Sequence, residues 1–353
     1  MIKVTALTSG KHVPSARFRV RQHIEPLRNR GIRIREVIPA IEKYAPPPPC
    51  LAFSNPVGLT LGRAVWKCIK TSTTFPGAIG SWKGDLTWLE REMHPGFLSF
   101  EPFLKHPIVL DVDDAIWLNK PFGWRATRKI AEIADVVLAG NHHIADWFNA
   151  CAEDVRIVPT AVDTDRIRPK KIHEFEHSCR PFVIGWIGTS GNYKSLYPIE
   201  NVLGKFLKNH TAELWVMADQ PPRFSELRSD KVRYIKWDPT KEVTFLKRMD
   251  VGLMPLTSDP WSLGKCSFKM LQYMAAGLPV VVSPIGMNRD VLAMGDIGFS
   301  AVTQKDWYEA LSCLYADFEF AHGFGTNGRL LAENHFSRHV ISAVLEGIFK
   351  EFS

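Results

Sequence analysis

The chain reads as an α/β protein built from two doubly wound, Rossmann-like domains. Short apolar runs recur through its first half, each followed by polar or helix-spaced sequence. The same alternation starts afresh at residues 181–189 (PFVIGWIGT) and continues through the second half. With 353 residues, the chain has enough length for two substantial cores.

Residues 2–8 (IKVTALT) give the first strand, followed by a loop of Ser9, Gly10, Lys11 and His12. A helix is expected from Ser15 to about Arg30, closed by Gly31. Residues 46–49 are all proline and read as a stiff polyproline spacer. Residues 59–75 are expected to form a basic, partly apolar helix with Arg63, Lys67 and Lys70 on a related face. Such a helix either packs on the sheet or touches a membrane or a lipid-linked acceptor. Further strands are expected at residues 85–89 (DLTWL), 107–112 (PIVLDV), 135–140 (DVVLAG) and 155–160 (VRIVPT). Helical segments separate most of them, which predicts a parallel sheet covered on both faces.

The first domain is assigned to residues 1–165. A polar linker with Pro169, Lys170 and Lys171 occupies residues 166–180. The second domain, residues 181–335, continues with strands at 212–218 (AELWVMA), 232–235 (VRYI), 250–256 (DVGLMPL) and 279–283 (PVVVS). Residues 336–353 are expected to form a helix that packs back on the first domain.

Hydrophobic residues at 45% and charged residues at 23% are ordinary for a soluble globular protein. The net charge of +7 is concentrated in residues 1–50, where ten Lys and Arg face three acids. That lobe suits an anionic membrane surface or a phosphorylated substrate, and equally an Arg-rich solvated helix face. Six cysteines lie far apart without CxxC spacing, against a zinc site or disulfide framework and for a reducing compartment. The N-terminus leads straight into a strand, so no signal peptide is expected, and no run of about 18 apolar residues occurs. A cytoplasmic location follows, with peripheral contact at the inner membrane face as a further expectation. His142 and His143 are adjacent and point apart on a helix, which is poor metal geometry, and GxSxG is absent.

The most informative stretch is residues 250–288, DVGLMPLTSDPWSLGKCSFKMLQYMAAGLPVVVSPIGMN. It reads as strand, polar loop, helix, strand, with Gly277 and Pro279 ending the helix. Lys265, Ser267 and Lys269 fall at the loop and the helix start, where amide N–H groups and the positive dipole end suit a diphosphate. Taken singly, such lysines are more often solvated charges. Taken whole, the stretch resembles the donor-side segment of the family 4 (group 1) glycosyltransferases, especially the branch with a GKC…K…LQYMA…G.PVV.SP.G.N pattern. The resemblance extends to VIGWIGTSGNY, DVDDAIWL and AGNHHIADWF…VRIVPTAVDTDRIRP, and so covers nearly the whole chain. It implies the GT-B arrangement, two doubly wound domains facing across a cleft, with residues 1–165 on the acceptor side and residues 181–335 binding the nucleotide-sugar donor. It also implies transfer from a nucleotide-sugar with retention at the anomeric carbon and no bound metal.

The resemblance also supplies site residues. The loop carrying Gly188 and Thr189 would approach the donor phosphates, with Lys194 adding charge. Related enzymes often carry Arg where Thr189 stands, and two glutamates where Gly264 and Gln272 stand. Gln272 would then hydrogen-bond a ribose hydroxyl without charge. Asp113 or Asp114 would orient an acceptor hydroxyl or a nearby basic residue, unless one merely caps a helix. In the Ser15-Ala16-Arg17-Phe18-Arg19 segment, Arg17 or Arg19 would clamp the diphosphate. Ser15, Glu90 and Asn141 match the branch at strand ends. The expected partners are a nucleotide-sugar and a saccharide or lipid-linked acceptor, with no nucleic acid and no cofactor. A nucleotide-sugar epimerase and an inactive nucleotide-binding homologue are the alternatives.

Overall fold

Runs of Val, Ile and Leu assemble into two six-stranded parallel sheets, one in each of two compact units. The computed structural model describes residues 1–51, 56–169 and 180–353. Most of the expected linker, including Lys170 and Lys171, lies outside the described residues, as does Cys179.

The first unit comprises Met1–Ala161 and Ile341–Ser353. Its strands are β1 (Ile2–Leu7), β2 (Ile32–Val37), β3 (Leu86–Glu90), β4 (Ile108–Val112), β5 (Val136–Ala139) and β6 (Val155–Ile157). They lie in the order β2-β1-β3-β4-β5-β6. Every residue of β3, β4 and β5 is buried, as strands covered on both faces require. Val4, Leu86, Trp88 and Val109 share one core with Ile341, Leu345 and Phe349 from the helix Arg338–Glu351. The Trp88 and Phe349 rings meet edge-on at 5.1 Å. Arg30 pairs with Glu346 at 2.8 Å and Arg156 with Glu351 at 2.6 Å on the rim of that contact.

Two local readings change. Residues 32–37 form the edge strand β2, which the Arg-rich sequence concealed: Ile32 is buried while Arg33 and Arg35 face solvent. The helix expected from Ser15 to Arg30 is three pieces: a π turn Ala16–Val20, a 3-10 turn Arg21–His23 and an α-helix Ile24–Asn29. Pro26 has no N–H to give the carbonyl of Gln22, so a regular helix forms only with Pro26 in its first turn. Gly31, at φ +83, closes it.

Beneath this segment, Arg19 and Asp111 form an ion pair whose side chains are 2% and 1% exposed, with Nη2 2.6 Å from Oδ1. Arg19 Nη1 also donates to the carbonyl of Val158 at 2.8 Å, and Trp88 Nε1 donates to Asp111 at 3.0 Å. Part of the basic lobe is paired within the unit: Arg19, Arg21, Arg30 and Lys43 meet Asp111, Glu36, Glu346 and Glu92, and of these Arg19 and Lys43 are buried.

The second unit is Val162–Val340. Its strands are β7 (Phe182–Ile187), β8 (Ala212–Ala218), β9 (Val232–Lys236), β10 (Val251–Met254), β11 (Val280–Val282) and β12 (Gly298–Ser300), in the order β12-β11-β10-β7-β8-β9. The three-residue edge strand β12 was too short to read from the sequence. Tyr273, on the helix Phe268–Ala275, ties the sheet centre together. Its hydroxyl accepts from Ile187 N at 3.1 Å and donates to the Leu253 carbonyl at 3.2 Å. The helix reaches this depth because residue 252 is glycine; a Cβ there would lie 2.2 Å from the Tyr273 ring.

Removing one partner of the Arg19–Asp111 pair strands a buried charge. Arg19→Met should destabilise the protein by about 3–5 kcal/mol. Arg19→Met with Asp111→Leu should recover much of that loss, as read from denaturant midpoints.

Candidate functional site

In open α/β sheets, ligands bind beyond the carboxyl ends of the strands, where the strand order reverses. In the second unit the chain leaves β7 outward to β8 and β9, then returns to β10 on the other side. The loops after β7 and β10 therefore meet. Gly188 lies against the side chain of Lys269, and a Cβ there would be 2.7 Å from Lys269 Cε and 2.6 Å from the Trp186 ring. Lys269 is half-buried, with Nζ 5.7 Å from the centre of that ring. Lys265 is also half-buried, with Nζ 5.5 Å over Trp261. Thr189 is exposed on the loop after β7, and Lys194 is exposed on the short helix Tyr193–Leu196 that follows it. Asn192 donates to Thr189 Oγ1 at 2.8 Å, and Ser190 donates through N and Oγ to Asp219 at 2.6 and 2.8 Å.

Asp259 caps the short helix Pro260–Leu263 through Ser262 N at 3.0 Å. Burial pulls its pKa upward. Hydrogen bonds from Thr257 and Ser262, with the charge of Lys194, outweigh burial and leave it below the ordinary value. Nothing local in the sequence marks Asp219 as the partner of the loop after β7.

Ser267 begins the helix Phe268–Ala275 with φ +49, a left-handed conformation unusual for a residue with a side chain. Its hydroxyl does not cap the helix; it donates to Asn288 Oδ1 at 2.7 Å. Asn288 is fully buried and donates to the carbonyls of Ser283 at 3.0 Å and Met254 at 3.4 Å. The asparagine at the end of the long motif thus joins the ends of β10 and β11 to the helix start. The first amides and dipole of that helix lie beside Lys269 and the Gly188 loop.

Gln272 differs from expectation. It is 3% exposed, and its Nε2 donates to Glu242 Oε1 at 3.1 Å. Glu242 is 2% exposed and pairs through Oε2 with Arg166 at 3.1 Å. The amide of Gln272 is committed to a carboxylate. A glutamate at position 272 would set two carboxylates about 3 Å apart, where they cannot both ionise.

In the first unit the strand order reverses between β1 and β3. Ser9, just past β1, donates through N and Oγ to Glu90 Oε2 at 2.9 and 2.6 Å. Arg91 follows at φ +59 and is held by Asp113 at 2.5 Å and Asp114 at 2.8 Å. Both carboxylates thus orient a basic side chain. Lys43 is buried, which alone would lower its pKa, but Glu92 at 3.0 Å raises it above the ordinary value.

Arg19 is not at the strand-end edge; it is spent on Asp111 inside the unit. Asn141 caps the helix His142–Phe148, accepting from Ile144 N at 2.8 Å. Ser15 is buried at the start of the π turn, and Arg17 is half-buried with its guanidinium 4.7 Å from the Phe18 ring. The structure therefore gathers Gly188, Thr189, Lys194, Lys265, Ser267 and Lys269 at one edge of the second unit. It assigns Gln272, Arg19 and Asn141 to internal contacts. Among the described residues, no three His, Cys, Asp or Glu side chains converge as metal ligands.

Burial, then the charges of Lys70, Lys67 and Lys43, push His94 down from 6.5 to about 4. In the unfolded chain this histidine takes a proton near 6.5. Unfolding therefore takes up a proton between about pH 6.5 and 4, so this contribution to stability is lost as pH falls through that window. His94→Gln should flatten the decline in urea midpoint between pH 7 and pH 5.

Residues 181–317 match the family model described as Glycosyl transferases group 1, which falls within the second unit. Comparison with curated proteins finds no match. Among solved structures, Anabaena Alr3699/HepE in complex with UDP and glucose is similar over 100% of both chains, at 12% identity and a TM-score of 0.72. Sucrose-phosphate synthase from Thermosynechococcus elongatus is similar over 99% of both chains, at 12% identity and a TM-score of 0.70. WaaG, a glycosyltransferase involved in lipopolysaccharide biosynthesis, is similar over 98% of this chain and 99% of its own, at 13% identity and a TM-score of 0.64. The chain has the two Rossmann-like domains of the GT-B glycosyltransferase fold, and its second domain carries the match to the group 1 glycosyl transferases.

Proposed function

We propose that the protein is a retaining, metal-independent glycosyltransferase that moves a hexosyl group from a nucleotide-sugar to a saccharide or lipid-linked acceptor. Its place would be polysaccharide or glycan biosynthesis in the cytoplasm. The observation that carries the reading is the meeting of Lys269 and the Ser267 helix start with the Gly188 loop, inside the family match. Breaking the glycosidic bond leaves negative charge on a diphosphate. Fixed lysines and helix amides stabilise such charge as it develops. Neutralisation by lysine leaves no need for a metal, and Arg91 already balances the carboxylates of Asp113 and Asp114. In a front-face displacement, the sugar C1–O bond to phosphate breaks as the acceptor oxygen bonds to C1, and a phosphate oxygen takes the acceptor proton. HepE structures holding UDP or UDP-glucose support the donor class.

Peripheral contact with an anionic membrane forms part of the reading. Lys3, Arg28, Arg33, Arg35 and Lys83 line one groove beside β2. Nearby, Ile79 is 55%, Trp82 65% and Phe103 66% exposed. Trp82 Nε1 donates to the Phe103 carbonyl at 2.9 Å, and Lys105 Nζ lies 5.8 Å over the Trp82 ring. Exposed aromatic rings beside clustered cations suit the headgroup layer, each cation contributing about 1 kcal/mol. No helix among the described residues is long and apolar enough to cross a membrane.

Thermal unfolding with UDP, GDP, ADP and their sugar conjugates tests the donor site. A ligand at a hundred times its Kd should add about 2.7 kcal/mol. A selective shift, lost in a folded Lys269→Ala variant, is expected; no shift with any nucleotide would reject the reading. Sedimentation with anionic vesicles should fall in Trp82→Ser with Arg35→Glu, and neutral vesicles should not bind.

A further inference from the structure

Ser267 stands before the helix Phe268–Ala275 with φ +49 and ψ +22. Side chains resist that left-handed backbone, and serine lacks even the tolerance of asparagine or aspartate for it. A serine at a helix start ordinarily turns its hydroxyl onto an amide two or three residues on. Ser267 makes no such bond. Its hydroxyl is drawn instead to Asn288 Oδ1, 2.7 Å away and 21 residues further along the chain.

The surroundings of Asn288 fix its amide in one orientation. The side chain is fully buried, and Nδ2 donates to the carbonyls of Ser283 at 3.0 Å and Met254 at 3.4 Å. With both hydrogens directed at carbonyls, the amide oxygen is left facing Ser267. Ser283 is held in turn: its N–H donates to the Met254 carbonyl at 3.2 Å, and its hydroxyl accepts from Leu256 N at 3.1 Å. Gly286, at φ +54, lets this turn lie against the loop before Lys265, since a Cβ there would be 2.8 Å from the Leu263 carbonyl.

A left-handed residue beside a right-handed one turns successive amides onto one concave side, which receives anions. At this helix start the amides are those of Ser267, Phe268 and Lys269, and the Lys269 side chain reaches the Gly188 loop. A right-handed or extended Ser267 would turn the amides apart. Serine has no preference of its own for the conformation that gathers them. The bond from Asn288 supplies it.

We propose that Asn288 is a positioning residue for the donor diphosphate, acting through Ser267 to hold the helix-start amides in their anion-facing arrangement. The assignment rests on the transferase reading and adds to it a buried residue that touches no ligand.

The test titrates UDP, GDP and ADP by calorimetry into wild type and variants whose folding is checked by circular dichroism. Asn288→Ala should lose about tenfold in affinity for the diphosphate that wild type binds. Adding Ser267→Gly to Asn288→Ala should restore most of that loss, because glycine adopts the left-handed backbone unaided. Adding Ser267→Ala instead should restore none. A role in stability alone would leave the two double variants alike. Should Asn288→Ala fail to fold, the single variants decide, since they leave Asn288 and its bonds to Ser283 and Met254 in place. Ser267→Gly should bind about tenfold more tightly than Ser267→Ala, although both lack the hydroxyl. Wild-type affinity in Asn288→Ala, or equal affinity in the glycine and alanine forms, would overturn the assignment and leave the donor site standing. No diphosphate binding by folded wild type would remove the transferase reading, and the assignment with it.

Discussion

Parallel strands return only through crossovers, so all their carboxyl ends gather at one edge of the sheet. Where successive crossovers leave in opposite directions, two loops part and a crevice opens between them. That constraint fixes where each unit can bind anything. It sets the Gly188 loop beside the loop after β10, and Ser9 beside Glu90. The chemistry of both edges then depends on which side chains end those strands.

The two edges differ in electrostatic character. In the second unit, lysines stand at a helix start, with carboxylates such as Asp259 turned inward to cap backbone amides. In the first, carboxylates outnumber the cations: Glu90, Asp113 and Asp114 surround Arg91. One edge presents lysines at a helix start, and the other presents carboxylates gathered around a guanidinium. The first edge is held under strain, since Arg91 adopts a left-handed backbone; so is the second, at Ser267. Each is fixed by strong bonds, Arg91 by two aspartates and Ser267 by Asn288. Strain maintained by such bonds keeps the edges preorganised.

Most of the fold was legible because buried parallel strands are continuous apolar runs, and ten of the twelve strands among the described residues are near such runs. The two that escaped are edge strands: β2 alternates Ile with Arg, and β12 has three residues. Site residues were legible where the motif is local, as in Lys265 to Lys269. What the sequence could not show was pairing across distance. Glu242 meets Gln272 and Asp111 meets Arg19 through contacts between elements far apart in the chain. A polar residue at a strand end looks the same in sequence whether it faces a ligand or a buried partner.

The helix that begins at Arg338 has a bearing on synthesis. The Trp88 face of the first unit is covered by Leu345 and Phe349, more than 180 residues after β6. Domains usually fold in the order in which they are made. Here the N-terminal unit leaves the ribosome with an open apolar face, and the C-terminal unit, continuous in sequence, is able to complete its core first. A nascent chain therefore waits through the whole second unit before its first is sealed, and chaperones have their best access to it in that interval.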